Sequence, residues 1–245
     1  MAAACVVALA AQAAGRTPLT VSAALSLTEV MQAVGRAYEA AGHGPLVFNF
    51  AASNVLARQI VNGAPVDVFV SADEAQMEVV RRATLVAGGV VPVCGNRLAV
   101  IARRGLAEVV TSPAALAAPA VRRVAMGNPD AVPAGVYARQ YLETANLWSA
   151  LQPKLLLSGS VRAALAAVVS GAADAGIVYA TDLRGSPDVH VAAIVDGPQA
   201  PRIVYPAAAL SSSARSGEAA AFVKFLQSDE ISRIFAAHGF APAPR

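Results

Sequence analysis

After Arg16 the chain alternates between two hydrophobic rhythms. Short apolar runs at Leu19 to Ala24, Leu46 to Phe50 and Val66 to Val70 have the length and content of buried strands. Between and after them apolar residues recur every three to four positions: Val30, Met31, Val34, Ala37, Tyr38 and Ala41, then Leu56, Ile60 and Val61, then residues of the stretch 74–83. That spacing puts one apolar stripe on each of three helices. Ser26-Leu27-Thr28-Glu29 matches a capping box and predicts that the first helix starts at Ser26, and Gly42 ends it. Ser53 stands where the second helix begins.

The rhythm changes around Val93 to Ile101, where Asn96 to Ile101 predicts a strand after a turn. A second block follows: strand Val124 to Met126, helix from Pro133, strand Leu155 to Leu157, helix from Val161, strand Ala175 to Tyr179. Ile203 to Pro206 begins another extended segment, and helices over 219–227 and 231–237 close the chain. Strands alternating with helices predict an α/β fold with parallel sheets, whose ligands sit beyond the carboxyl ends of the strands. No Pro/Gly/Ser-rich linker separates the blocks. Two lobes joined by two strand-like crossings account for this, with lobe 1 over 17–95 plus 206–245 and lobe 2 over 96–205.

Composition narrows the function. Of 245 residues, 56% are hydrophobic and 14% charged, which excludes a disordered chain. The mean hydropathy of +0.52 reflects alanine, and no stretch reaches the ~18 uninterrupted apolar residues of a membrane span. The net charge is +3, its arginines are scattered, and aromatics make up 5%, so no nucleic-acid surface is expected. Residues 1–14 read as a shortened signal peptide: an apolar stretch with Ala11-Gln12-Ala13 as a small-x-small cleavage site. Cys94 is then the one mature cysteine and reads as a core residue; His43, His190 and His238 match no ligand spacing, so no metal is expected on side chains. No nucleophile-elbow, zinc-helix, phosphate-loop or dinucleotide motif is present, so the chain is expected to be no enzyme, with no catalytic residues and no cofactor. A regulator's effector domain would need a helix-turn-helix, and none precedes Leu19.

Four helix starts carry small, uncharged residues: Ala24 to Thr28, Ala51 to Asn54, Val132 to Gly135 and Ser158 to Val161. First-turn N–H groups have no intrahelical acceptor, and the helix dipole favours negative charge there. Ser26 and Ser53 add hydroxyl donors, and Pro133 suits a first helical position.

The run Asn54 to Asp73, together with Asn128 to Ala138, Gly176 to Asp182, Tyr205-Pro206-Ala207 and the closing Ile234-Phe235 and Gly239-Phe240, resembles the periplasmic molybdate-binding proteins of ABC importers, from about Thr17 to Phe240. The resemblance implies a two-lobed type II periplasmic binding protein closing on a tetrahedral oxyanion. It implies five ligand-binding residues: the hydroxyls of Ser26 and Ser53, the backbone N–H groups of Ala134 and Val161, and the phenol of Tyr179. It further implies a monomeric periplasmic receptor for molybdate and tungstate that serves a permease and its ATPase, with sulfate or chromate as the alternative ligand. Leu25, where the family has Ala, and Ala52-Ser53-Asn54, where it often has paired serines, depart from the pattern. Arg58, Arg139 and Arg162 are expected on solvated helix faces behind the site. Asp67, which follows Pro65 near the lobe edge, is expected to serve as a hinge or cap; it, Asp73 and Asp174 look like catalytic carboxylates only in isolation.

Overall fold

The computed structural model describes residues 17–184 and 188–243, so the segment read as a signal peptide lies outside the described residues. The first block gives β1 (Leu19–Ala24), α1 (Thr28–Ala40), β2 (Leu46–Ala51), α2 (Ser53–Val61), β3 (Val68–Val70) and α3 (Glu74–Arg82). The long β4 (Val86–Asn96) hands over through Arg97 alone to β5 (Leu98–Arg103). Next come β6 (Val124–Gly127), α4 (Pro133–Thr144), the short α5 (Trp148–Leu151), β7 (Leu155–Ser158), α6 (Val161–Val169), β8 (Ala175–Tyr179) and β9 (Val189–Ile194). β10 (Ile203–Leu210), α7 (Ser216–Phe225) and α8 (Asp229–Ala237) complete the chain.

Among the described residues there are two five-stranded sheets, ordered β2-β1-β3-β10-β4 and β7-β6-β8-β5-β9. β1 is parallel to β2 and β3, and β6 is parallel to β7 and β8, as the strand–helix alternation predicts. The sheets are nevertheless mixed. β10 runs antiparallel to β3 and β4, and β5 runs antiparallel to β8 and β9. A crossover helix returns the chain to the end of the sheet it left. β5 and β10 arrive from the other sheet without one, so they enter from the opposite end. β10 joins the first sheet from Ile203, so the division expected at 205/206 falls inside this strand.

Two strands escape the hydrophobic pattern. The first half of β4 carries Gly88, Gly89 and Pro92, which read as breakers; β4 is the edge of its sheet, where such residues are tolerated. β9 is an edge strand too, only partly buried, with no clean alternation.

The first sheet is covered on one side by α2 and α3, whose Leu56, Ile60, Met77 and Val80 enclose Phe69 and Leu210. The main core runs from α1, α7 and α8 into the second lobe. Burying each such side chain contributes about 1.5–3 kcal/mol. Tyr38 of α1 meets Phe222 and Phe225 of α7 edge-on, with centroids 4.9 and 5.0 Å apart.

Asp67 ties the first lobe together. Its carboxylate accepts from Thr20 N (2.7 Å), Ser213 Oγ (2.6 Å) and Arg215 Nη2 (2.5 Å). Asp174 does the same in the second lobe, accepting from Arg122 N, Arg123 N and Arg103 Nε.

The start of α4 is set against β6 through two glycines. A Cβ built on Gly135 would lie 2.2 Å from the Gly127 carbonyl oxygen, a clash with backbone that no rotamer relieves. Gly135→Ala is therefore expected to destabilise the protein by at least about 1–3 kcal/mol, the usual cost of overpacking. Gly217→Ala, whose Cβ meets nothing within 4 Å on α7, is expected to leave the melting temperature unchanged or raised. Thermal unfolding of the two variants checks both.

Candidate functional site

Ser26 lies in a single 3-10 turn, Leu25–Leu27, and α1 proper starts at Thr28 with no side-chain cap. The capping box expected at Ser26 is thus not formed. The Ser26 hydroxyl is instead turned inward, 3.1 Å from Tyr205 Oη. Ser53 is the first residue of α2, with Ala52 as its cap. Its Oγ accepts from Ala72 N at 2.9 Å. A backbone N–H can only donate, so the Ser53 proton remains free to serve another acceptor.

In the second lobe Pro133 takes the first position of α4, which makes Ala134 the second residue. Val161 opens α6 behind Ser160, whose Oγ accepts from Ala163 N at 3.1 Å. At both positions helix geometry leaves the backbone N–H without an intrahelical acceptor. Tyr179 ends β8, 1% exposed, and its Oη has no hydrogen-bond partner among the described residues. Burial pushes this phenol well above its ordinary pKa, so it is a neutral donor.

These five residues, Ser26, Ser53, Ala134, Val161 and Tyr179, line one cavity of about 20 Å3 between the lobes, together with Ala24, Ala52, Ala72, Val132 and others. Its lining among the described residues holds no acidic, basic or imidazole side chain. Leu25 borders it and Asn54 does not, so of the two flagged departures only the first reaches the cavity wall. Among the described residues no cluster of His, Cys, Asp and Glu could hold a metal ion.

A larger groove of about 400 Å3 shares Ser26 and is lined by Glu29, Arg162, Asp182, Arg184 and His238. Its carboxylates Glu29 and Asp182 stand beside Arg162, Arg184 and His238, whereas the small cavity is lined by no charged side chain among the described residues. Arg162 of α6 pairs with Glu29 of α1 at 2.5 Å, and Arg184 donates to the Ala237 carbonyl, so both contacts bridge the lobes. Of the three arginines expected on solvated faces, Arg162 is thus engaged across the cleft. Arg139 pairs with Glu143 and sits over the Trp148 ring, 5.0 Å from its centroid.

Sequence reasoning passed over Asn96 and Tyr205 as site-related residues. Asn96 Nδ2 donates to Tyr205 Oη (3.1 Å) and to Thr181 Oγ1 (2.9 Å). The signal was there: an Asn and a Tyr within apolar strands at the two crossings.

Two mixed sheets, two crossings of the chain between them and a small cavity between the lobes define a two-lobed type II periplasmic binding fold. The family model for bacterial extracellular solute-binding proteins matches residues 19–241, and the chain belongs to that family. It is 33% identical over 227 residues to the molybdate-binding protein ModA of Escherichia coli K12, covering 91% of this chain and 88% of that one. The solved periplasmic molybdate-binding protein of Azotobacter vinelandii superposes with a TM-score of 0.80 at 26% identity, over 93% of this chain and 100% of that one. The sulfate-binding protein SubI of Mycobacterium tuberculosis H37Rv reaches the same TM-score of 0.80 at 22% identity, over 93% and 87%, a likeness of fold alone. The family and fold class that the motifs implied are both borne out. These relatives are binding proteins, in keeping with the expectation of no enzyme.

Two carboxyls have raised pKa values: Asp182, which lines the larger groove, and Asp73, at the start of α3. Burial pushes Asp182 up to about 7 and Asp73 up to about 6. Asp182 Oδ2 accepts from Tyr179 N (3.2 Å), and Asp73 caps α3 by accepting from Gln76 N (2.8 Å). An acid with a raised folded pKa holds a proton in the folded chain over a window where the unfolded chain has lost it, so stability falls as pH rises from about 4 to 7. Asp67 and Asp174 act oppositely. Burial raises both, but Ser213, Thr20 and Arg215 around Asp67, and the Arg122 and Arg123 amides and Arg103 around Asp174, outweigh it and hold them low. Their contribution is present above about pH 4 and lost below it. The melting temperature is expected to peak near pH 4, and Asp182→Asn to flatten its decline between pH 4 and 7; an unchanged slope in that variant would contradict the assignment.

Proposed function

We propose that this chain is the extracytoplasmic receptor of a molybdate importer. It captures molybdate, and with it tungstate, between its lobes in the periplasm. As a monomer it hands the anion to an ABC permease driven by an ATPase. The carrying observation is Tyr179: a buried neutral phenol with no partner for its Oη among the described residues, facing the same cavity as Ser26, Ser53, Ala134 and Val161. A buried donor left unpaired costs about 1–3 kcal/mol, and a bound oxyanion removes that cost.

The donor set supports the choice of anion. A fully ionised tetrahedral dianion presents acceptors only, and the proposed ligands are all donors: three hydroxyls and two backbone N–H groups. Hydrogen phosphate keeps a proton that needs an acceptor, and the cavity lining holds no carboxylate among the described residues. Sulfate and chromate share the charge and shape of molybdate, so cavity size must separate them; sulfate, being smaller, leaves donors under-reached. Kinship with a protein named for molybdate supports the larger anion. Molybdenum is held as its oxyanion, with no side chain bonded to the metal, and no cofactor is involved. Donors from both lobes meet one anion only when the lobes are closed, so binding favours the closed form, which the Glu29–Arg162 pair and the Arg184–Ala237 contact also bridge.

Thermal unfolding with molybdate, tungstate, sulfate and phosphate added separately tests this. A ligand at 100 times its Kd stabilises by about 2.7 kcal/mol, a shift of several degrees. Molybdate and tungstate are expected to produce it, and sulfate and phosphate at equal concentration are not; an equal shift with sulfate would make this a general oxyanion receptor. Tyr179→Phe is expected to weaken molybdate binding by about tenfold while leaving ligand-free stability unchanged or raised, because it deletes a buried unpaired group.

A further inference from the structure

The two serines of the cavity have their protons directed in different ways. Ser53 is fixed by a backbone amide, which can only donate. Ser26 faces another hydroxyl, Tyr205 Oη, and either oxygen could be the donor. The surrounding hydrogen bonds decide which one is. Arg97 N donates to Asn96 Oδ1 at 2.8 Å, and since an amide N–H cannot accept, this fixes the orientation of the Asn96 side chain. Its Nδ2 is therefore the group facing Tyr205 and Thr181, and it gives one proton to each. Tyr205 Oη thus receives a proton from Asn96. Its own proton is buried with the ring, which is 0% exposed, and Ser26 Oγ at 3.1 Å is there to accept it.

We propose that Tyr205, oriented by Asn96, is a positioning residue that fixes the direction of the Ser26 hydroxyl and thereby biases it toward donating into the cavity. The proposal rests on the oxyanion reading above and adds how its selectivity against proton-bearing anions is enforced. The chain of bonds runs one way: Arg97 N–H to Asn96 Oδ1, Asn96 Nδ2–H to Tyr205 Oη, Tyr205 O–H to Ser26 Oγ, Ser26 O–H to the anion. A lone serine hydroxyl can rotate and offer a lone pair, so it would accept the proton of hydrogen phosphate as readily as it donates to molybdate. With Tyr205 donating into Ser26 Oγ, one of its two lone pairs is taken and its proton is directed away from Tyr205, which favours donation to the anion over acceptance.

The fold makes this donor rigid. Tyr205 stands opposite Cys94, and Asn96 opposite Ile203, in the antiparallel β10–β4 pair, which makes Asn96 and Tyr205 diagonal neighbours within side-chain reach. The Tyr205 ring is held edge-on by Phe240 (centroids 5.7 Å apart) and tilted against Tyr179 (5.9 Å), so its hydroxyl cannot swing away. Asn96 also reaches Thr181, just after β8 in the second lobe, so the relay sits where the chain crosses between lobes.

Calorimetric titration of the unmodified chain, Tyr205→Phe, Ser26→Ala and the double variant tests the relay, with molybdate and phosphate as ligands from pH 6 to 8. Tyr205→Phe keeps the ring and is expected to weaken molybdate binding by about tenfold. It should also narrow the preference for molybdate over phosphate, most at pH 6, where phosphate carries its extra proton. In the Ser26→Ala background it should change neither. Asn96→Ala, which leaves the aromatic packing in place, should narrow the preference in the same direction and serves if Tyr205→Phe does not fold. Unchanged selectivity in both variants, or an equal loss with Ser26 already removed, overturns the relay while the oxyanion reading stands. Failure of the unmodified chain to bind molybdate overturns the reading itself, and the relay with it.

Discussion

A hydrogen-bonding constraint organises this molecule. A small cavity between the lobes, lined by no charged side chain among the described residues, suits a fully ionised anion when the polar groups aimed into it donate, and a hydroxyl is biased toward donating when a neighbour already donates to its oxygen. Each lobe supplies donors in its own way. Backbone N–H groups at the starts of α4 and α6 cannot accept at all. The Ser53 oxygen is taken by the Ala72 amide, and the Tyr179 phenol is kept neutral by burial. Tyr205 and Asn96 extend the same logic to Ser26 from the crossings.

The fold serves that constraint through the ends of its parallel strands. Each of β1, β2, β6 and β7 is followed by a helical turn or helix, and the residues at these four starts line one cavity. Backbone approach is close enough at β6 and α4 that glycine is required on both sides, at Gly127 and Gly135. The two crossings, at Arg97 and between β9 and β10, bring Asn96 and Tyr205 beside Ser26, where a polar network touches both lobes. The acidic residues that looked catalytic by type are spent elsewhere. Asp67 and Asp174 tie loops to sheets, and Asp73 caps a helix. Asp182, in the wall of the larger groove, accepts from the Tyr179 backbone N–H and braces the end of β8.

Much of this was legible from the residues alone because strands and helices with one buried face repeat at periods of about 2 and 3.6. Short continuous apolar runs gave the boundaries of β1 and β8, start residues gave the beginnings of α4 and α6, and the motifs gave the family and five residues that the fold brings to one cavity. Edge strands leave a weaker mark, which is why the Gly- and Pro-bearing half of β4 and the half-exposed β9 went unseen. What only the tertiary structure decided was direction. Sequence spacing carries no sign for a strand that arrives from another lobe, so the antiparallel placement of β5 and β10 was not readable. Nor does a Ser-x-x-Glu pattern say whether its hydroxyl caps the helix or leaves it. Ser26 abandons the cap because Tyr205, 179 positions away, stands against its oxygen, and a hydrogen bond between residues that far apart exists only once the chain has folded.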